Sequence, residues 1–79
     1  MKIAVLGGGH GCYAAAADLS EAGHEVRLWR RDAAALQAVV DAGAITLKDA
    51  AGARDVPIAL ASADIAAVLR GAELVLVPS

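Results

Sequence analysis

The sequence lacks the features that hold many small proteins together. Only one of its 79 residues is a cysteine, so no internal disulfide can form. Cys12 also has no cluster of cysteines or histidines around it that would suggest a structural metal. This usage is typical of a reducing compartment, and we expect a cytoplasmic protein. Aromatic residues make up only 3%, whereas hydrophobic residues, many of them alanine, make up 58%.

Excess charge of one sign and long apolar runs are also missing. The net charge of −2 gives no basis for binding nucleic acid or a membrane surface. No apolar run is long enough to span a bilayer. The apolar stretch Ile3–Leu6 after Lys2 could begin a signal peptide, but the glycines from Gly7 onward interrupt it too early. We therefore expect no nucleic-acid partner and no membrane association.

What the chain does have is a regular alternation of apolar runs and helical patterns. The predicted elements are a strand at Lys2–Leu6, a helix at Cys12–Ala22, a strand at Glu25–Trp29, a helix at Ala33–Asp41, strands at Ile45–Leu47 and Val56–Leu60, a helix at Ser62–Leu69 that Ser62 or Asp64 starts, and a strand at Leu74–Val77. This order predicts an α/β fold, a doubly wound parallel sheet with helices on its faces. The last strand has a buried-strand pattern and the sequence stops directly after it. We therefore expect residues 1–79 to be an incomplete, N-terminal part of the domain, with a small complete protein as the alternative.

A glycine-rich turn lies between the first predicted strand and the first predicted helix. Turns of the form G-x-G-x-x-G at this place bind the pyrophosphate of a dinucleotide at the helix N-terminus. Gly7 allows the sharp turn, Gly9 leaves room for the pyrophosphate, and Cys12 stands where the third glycine is expected. The pattern predicts the cofactor site of a Rossmann domain, with contacts from Gly7, Gly8, Gly9, His10, Gly11 and Cys12. A glycine turn without a ligand is the alternative.

Two side chains in this turn allow more than one interpretation. His10 could donate a hydrogen bond to a phosphate or lie exposed in the loop. Cys12 could act as a nucleophile near a helix N-terminus, but a buried thiol that packs the helix is the interpretation we favour. The pair has no further ligands at usable spacing, so the sequence predicts neither a metal site nor a catalytic residue.

The residues after the second predicted strand bear on the choice of cofactor. About twenty positions after the glycines, an acidic residue typically binds the ribose 2′-hydroxyl of NAD, whereas an arginine accommodates the 2′-phosphate of NADP. Arg30 stands at this point and Arg31 follows, so the sequence predicts NADP over NAD. Alternatively, both arginines are solvated and Asp32 binds the ribose. Pro78 ends the last strand, which lies next to the first strand if the strand order is the usual one, and it is expected to line the middle of the cofactor where the strand order reverses.

These residues resemble the N-terminal cofactor domain of the opine dehydrogenases (octopine/nopaline type). The segment MKIAVLGGGHGCYAAAADLSEAGHEVRLW is similar to the start of that family and of its relatives, the glycerol-3-phosphate dehydrogenases and ketopantoate reductases. Asp41–Leu47 and Gly71–Pro78 favour the opine group. His10, Cys12 and Arg30 depart from its pattern, which more often has asparagine, then glycine, and an acid at the end of the second strand.

The resemblance implies an NAD(P)-dependent oxidoreductase. Opine-type enzymes transfer a hydride to an imine formed from an amino acid and an α-keto acid, and their catalytic histidine lies in a C-terminal domain. This implies that residues 1–79 bind the cofactor, hold no catalytic residue and are inactive alone, the small-molecule substrate being bound by the missing domain. Two other functions stay open: a glycerol-3-phosphate dehydrogenase or ketopantoate reductase relative acting on a CH–OH group, and a non-catalytic nucleotide-sensing module.

Overall fold

A parallel sheet flanked by helices forms the body of the protein. A computed structural model describes residues 1–7 and 9–78, apart from the side chains of His10 and Asp49. In chain order the elements are β1 (Lys2–Leu6), α1 (His10–Glu21), β2 (Glu25–Trp29), α2 (Ala33–Ala42), β3 (Ala44–Asp49), β4 (Gly52–Pro57), β5 (Leu60–Ser62), α3 (Ile65–Leu69) and β6 (Leu74–Leu76). The predicted α/β, Rossmann-like fold is confirmed. No helix in the described ranges has the length and apolar character needed to cross a bilayer.

The sheet places β1 and β2 at its centre. Its strand order is β5-β2-β1-β6, and every pairing in it is parallel. The chain runs outward from β1 through β2 to β5 and then returns to β6 on the other side of β1. The order in which strands are added to the sheet therefore reverses between the neighbouring strands β1 and β6. In folds of this type, ligands bind beyond the carboxyl ends of the strands at such a reversal.

The two faces of the sheet carry different layers. Ile3 and Val5 of β1 share one buried cluster with Cys12 and Ala16 of α1 and Leu36 of α2, so both helices cover that face. Side chains alternate between faces along a strand. Arg27 of β2 is in register with Ala4, between the two positions of β1 that face α1 and α2, so its side chain lies on the opposite face of the sheet. Its Nη1 donates to the carbonyl oxygens of Val68 and Arg70, which fixes α3 beneath the sheet.

An antiparallel hairpin of β3 and β4 packs beside α1. Ile45 and Val56, which are opposite each other in the hairpin, are buried in the main core. A salt bridge of 2.9 Å between Arg54 Nη2 and Glu21 Oε1 holds the hairpin to the C-terminal end of α1. The hydrogen bond from Arg54 keeps the pKa of the Glu21 carboxyl below its usual value. The hairpin is thus attached to the helix that begins at the glycine turn.

Two predicted segments differ from the observed elements. The predicted strand Val56–Leu60 is divided, because Pro57 has no N–H to continue the hairpin ladder. The chain then crosses to β2, where Ala59 N donates to Val26 O, and Leu60–Ser62 joins the parallel sheet as β5. Because Ser62 belongs to a strand, Asp64 is the one of the two predicted starting residues that caps α3, and the helix begins at Ile65.

β6 is more exposed than its apolar sequence predicts. Leu74 is 42% exposed and Val75 44% exposed, whereas the sequence pattern predicts a buried strand. The reason is its position at the edge, because in the described part of the chain β6 pairs only with β1. Its pairing next to β1 is nevertheless the one expected from the usual strand order.

Candidate functional site

The carboxyl ends of three strands meet at one edge of the sheet. Gly7 follows β1, Arg30 follows β2, and Pro78 lies two residues after β6. The N–H of Gly7 donates to Trp29 O over 2.9 Å, which ties the end of β1 to that of β2. The Sγ atom of Cys12 lies 3.6 Å from Pro78 O. Three segments that are far apart in the sequence therefore surround the start of α1.

The turn after β1 is packed tightly against Cys12. Gly7 has a φ of +134°, a conformation that side-chain-bearing residues rarely adopt, and a Cβ built on it would lie 2.8 Å from Cys12 Sγ. The thiol is 3% exposed and also lies 3.8 Å from Leu6 O. Cys12 therefore packs α1 against the ends of β1 and β6, as the packing interpretation predicts. A buried thiol of this kind is poorly placed to act as a nucleophile.

The N-terminus of α1 is open. Gly9 is its N-cap, in an extended conformation and without a side-chain cap, and a Cβ built there would meet no heavy atom within 4 Å. The helix, predicted from Cys12, begins at His10, and the N–H groups of Cys12 and Tyr13 donate to Gly9 O. The N–H groups of the first turn and the positive end of the helix dipole suit an anion. The residues present therefore fit a pyrophosphate.

Several predicted site residues can be placed only in part. Gly8 lies outside the described residues, as does the side chain of His10, so their expected contacts stay predictions. Gly11 is exposed in the first turn of α1, with open space where a Cβ would stand. Pro78 is half-buried and borders the turn through its carbonyl oxygen.

Positive charge lies at the end of β2. Arg30 is half-buried, and its Nη1 donates to Tyr13 Oη over 2.9 Å, with the guanidinium carbon 5.9 Å from the centre of the tyrosine ring. Arg31 is exposed. Within residues 1–7 and 9–78, neither guanidinium pairs with a carboxylate. Tyr13 was not among the residues that the sequence predicted for the site.

Two neighbouring side chains are committed to structural contacts. Asp32 accepts a hydrogen bond from Ala35 N over 3.2 Å and caps α2. This contact occupies only one of the two carboxylate oxygens, so the alternative in which Asp32 binds the ribose stays a prediction. Trp29 Nε1 donates to Ala63 O over 2.9 Å, which directs the indole toward the turn before α3.

Tyr13 also lines a groove of about 600 Å³. Its walls are mostly apolar and come from α1, the second half of α2, and β3.

No group of three or more histidine, cysteine, aspartate or glutamate side chains that could hold a metal ion occurs in the part of the chain described. The chemistry available at this edge of the sheet is thus anion binding by backbone N–H groups and an arginine.

Comparison with known proteins agrees with this geometry. Residues 2–79 match a protein family described as NAD-dependent glycerol-3-phosphate dehydrogenase N-terminus. A search among curated proteins gives no match.

Proposed function

Because the chain belongs to the family of NAD-dependent glycerol-3-phosphate dehydrogenase N-terminal domains, we propose that its dinucleotide binds across the sheet edge formed by Gly7, Gly9 and Arg30. The family consists of NAD-dependent dehydrogenases, so the chain is the nicotinamide-dinucleotide-binding domain of an oxidoreductase. The observation that carries the proposal is the open, uncapped N-terminus of α1 at Gly9. When bound, the nicotinamide ring supplies the hydride chemistry.

Each residue of this edge has a distinct part in the proposal. The first N–H groups of α1 hold the pyrophosphate, and Gly9 lets it approach the backbone. Cys12 fixes the helix against the sheet, so that these N–H groups stay aimed at one point. Arg30 reaches the adenosine ribose, and Pro78 lines the middle of the cofactor. Gly8, His10, Gly11 and Arg31 complete the set predicted from the sequence.

A Gly9→Ser variant tests the pyrophosphate site. Serine is a good N-cap, so the free energy of unfolding should stay unchanged or rise by a few tenths of a kcal/mol. The same side chain would enter the open space over Gly9, and the affinity for NAD(P)H should fall by about tenfold or more, equivalent to about 1.4 kcal/mol. Urea unfolding and a titration of cofactor fluorescence measure the two quantities.

The matched control for this experiment is Asp64→Ser. It exchanges one capping residue for another at the N-cap of α3, on the other face of the sheet. Its cofactor affinity should equal that of the wild type. Wild-type affinity in Gly9→Ser would refute the pyrophosphate site.

We further propose that the domain prefers NADP to NAD. The description of the family names NAD. Arg30, however, lies at the position that contacts the 2′-substituent of the ribose in such domains, and its guanidinium pairs with no carboxylate among the described residues. Arginine's planar set of N–H donors suits a phosphate better than a hydroxyl. Asp32 is held at the N-cap of α2 through its Oδ1, and Arg30 is the first residue after β2, which supports this preference.

For the reaction, we propose an opine-type hydride transfer to the imine of an amino acid and an α-keto acid. The support is the segment Asp41–Leu47, in which Gly43 ends α2 and the chain enters the β3–β4 hairpin. The family match fits a reaction on a CH–OH group equally well. Because residues 1–79 are expected to be inactive alone, the assay uses the longer protein that carries this domain, and oxidation of NADPH with an amino acid plus an α-keto acid, compared with dihydroxyacetone phosphate, separates the two reactions. Cofactor binding by that longer protein, without oxidation by either substrate, would favour the nucleotide-sensing module.

A further inference from the structure

Tyr13 and Arg30 form a contact between the first turn of α1 and the end of β2. The phenol oxygen accepts a hydrogen bond of 2.9 Å from Arg30 Nη1, and the guanidinium also lies 5.9 Å from the ring centre. We propose that Tyr13 is a positioning residue that holds Arg30 for the 2′-phosphate and thereby sets the choice between the two dinucleotides. This inference rests on the proposed function and extends it to a residue outside the predicted site.

The neutral partner of Arg30 distinguishes it from two structural arginines of the chain. Arg27 pairs with Glu25 at 2.9 Å and donates to the backbone of α3 and the residue after it, and Arg54 pairs with Glu21 at 2.9 Å. Both charges are therefore neutralised by carboxylates. A phenol accepts one hydrogen bond and leaves the positive charge of Arg30 in place. An arginine held in this way is still able to attract an anion.

Holding the side chain matters because arginine is flexible. Its side chain has many rotamers in solution, and a bound phosphate would have to overcome part of that rotamer freedom. The hydrogen bond and the ring contact restrict Arg30 before any ligand arrives, and both residues are half-buried. Preorganisation of this kind improves affinity by lowering the ordering cost of binding.

The location of Tyr13 connects the two parts of the proposed site. Its N–H donates to Gly9 O, in the turn proposed to hold the pyrophosphate, while its hydroxyl holds the arginine proposed to hold the ribose phosphate. The distance between these two binding groups is therefore set by one side chain of a rigid helix. A dinucleotide with both a pyrophosphate and a 2′-phosphate gains affinity from this fixed distance, whereas a dinucleotide with a free 2′-hydroxyl does not.

The test compares Tyr13→Phe with the wild type for NADPH and NADH. The variant keeps the ring and loses only the acceptor, so its urea midpoint should be unchanged. We expect NADPH affinity to fall by about threefold to tenfold, the range for one hydrogen bond, and NADH affinity to change by less than about twofold. In Arg30→Ala, the added Tyr13→Phe change should have no further effect on NADPH, because the two residues act as one unit.

The possible outcomes are distinct. Equal losses for both dinucleotides in Tyr13→Phe would show a purely structural tyrosine and overturn the inference. A loss of NADPH affinity in Arg30→Ala, with none in Tyr13→Phe, would also overturn it while leaving the proposed function standing. If the folded wild-type protein binds neither dinucleotide, the proposed function itself fails, and the inference fails with it.

Discussion

A Gly7→Ala variant is expected to lose at least about 2 kcal/mol of its free energy of unfolding and most of its dinucleotide binding. A φ of +134° costs a residue with a side chain about 1–3 kcal/mol. The new Cβ would also stand 2.8 Å from Cys12 Sγ. That thiol lies in the core, between the carbonyl oxygens of Leu6 and Pro78, and has little room to retreat. Urea unfolding followed by the fluorescence of Trp29 measures the loss.

Two further variants separate backbone strain from the steric clash at Gly7. Gly23 also has a positive φ, of +98°, but a Cβ there would meet nothing within 4 Å, so Gly23→Ala isolates the strain. It should cost about 1–2 kcal/mol and leave cofactor binding intact. Cys12→Gly removes the clashing sulfur and should make the Gly7→Ala change less costly. Equal costs at Gly7 and Gly23, with no relief from Cys12→Gly, would refute the steric account.

An Arg30→Glu variant is expected to reverse the cofactor preference. The charge reversal places a carboxylate against the 2′-phosphate, so NADPH affinity should fall by about a hundredfold, equivalent to roughly 3 kcal/mol. An acid at the end of this strand can accept a hydrogen bond from a ribose 2′-hydroxyl, so NADH affinity should be retained or rise. The ratio of the two dissociation constants, measured at one salt concentration, gives the result directly.

The control for Arg30→Glu is the same charge reversal at Arg70. The Arg70 residue is exposed and lies after α3, at the opposite end of β6 from Pro78. Its reversal changes the net charge equally and should leave the ratio of NADPH to NADH affinity unchanged. A similar shift in both variants would mean that long-range charge, and not a contact at Arg30, sets the preference.

The helices and strands whose bounds were predicted most closely are those with turn or capping residues at their ends. β1 and β2 have the predicted bounds, because turn residues delimit them: Gly7 follows the apolar run of β1, and β2 lies between Gly23 and the charged turn that starts at Arg30. α2 starts at Ala33 as predicted, because Asp32 is a capping residue whose contact is local in sequence. The glycine turn could be recognised for the same reason, since its sequence signal lies within a few consecutive residues.

The features that the sequence did not predict depend on distant partners. Nothing local distinguishes Leu60–Ser62 as a strand, since β5 exists through its pairing with β2. Tyr13 is 17 residues away from Arg30, and both are residue types that are common on surfaces. Their contact follows from the register of β1 and β2, which places the end of one strand beside the turn that follows the other.

The pairing of β1 with β6 has a consequence for biosynthesis. Lys2 and Glu73 exchange hydrogen bonds although they lie 71 positions apart, and Cys12 reaches Pro78 across 66 positions. At a synthesis rate of roughly 5–20 residues per second, several seconds separate the glycine turn from the strand that completes its surroundings. A nascent chain that has not reached β6 carries the whole glycine motif but lacks the strand that pairs with β1 and the Pro78 carbonyl that packs against Cys12. We therefore expect a dinucleotide to stabilise chains whose translation has passed this strand more than shorter ones.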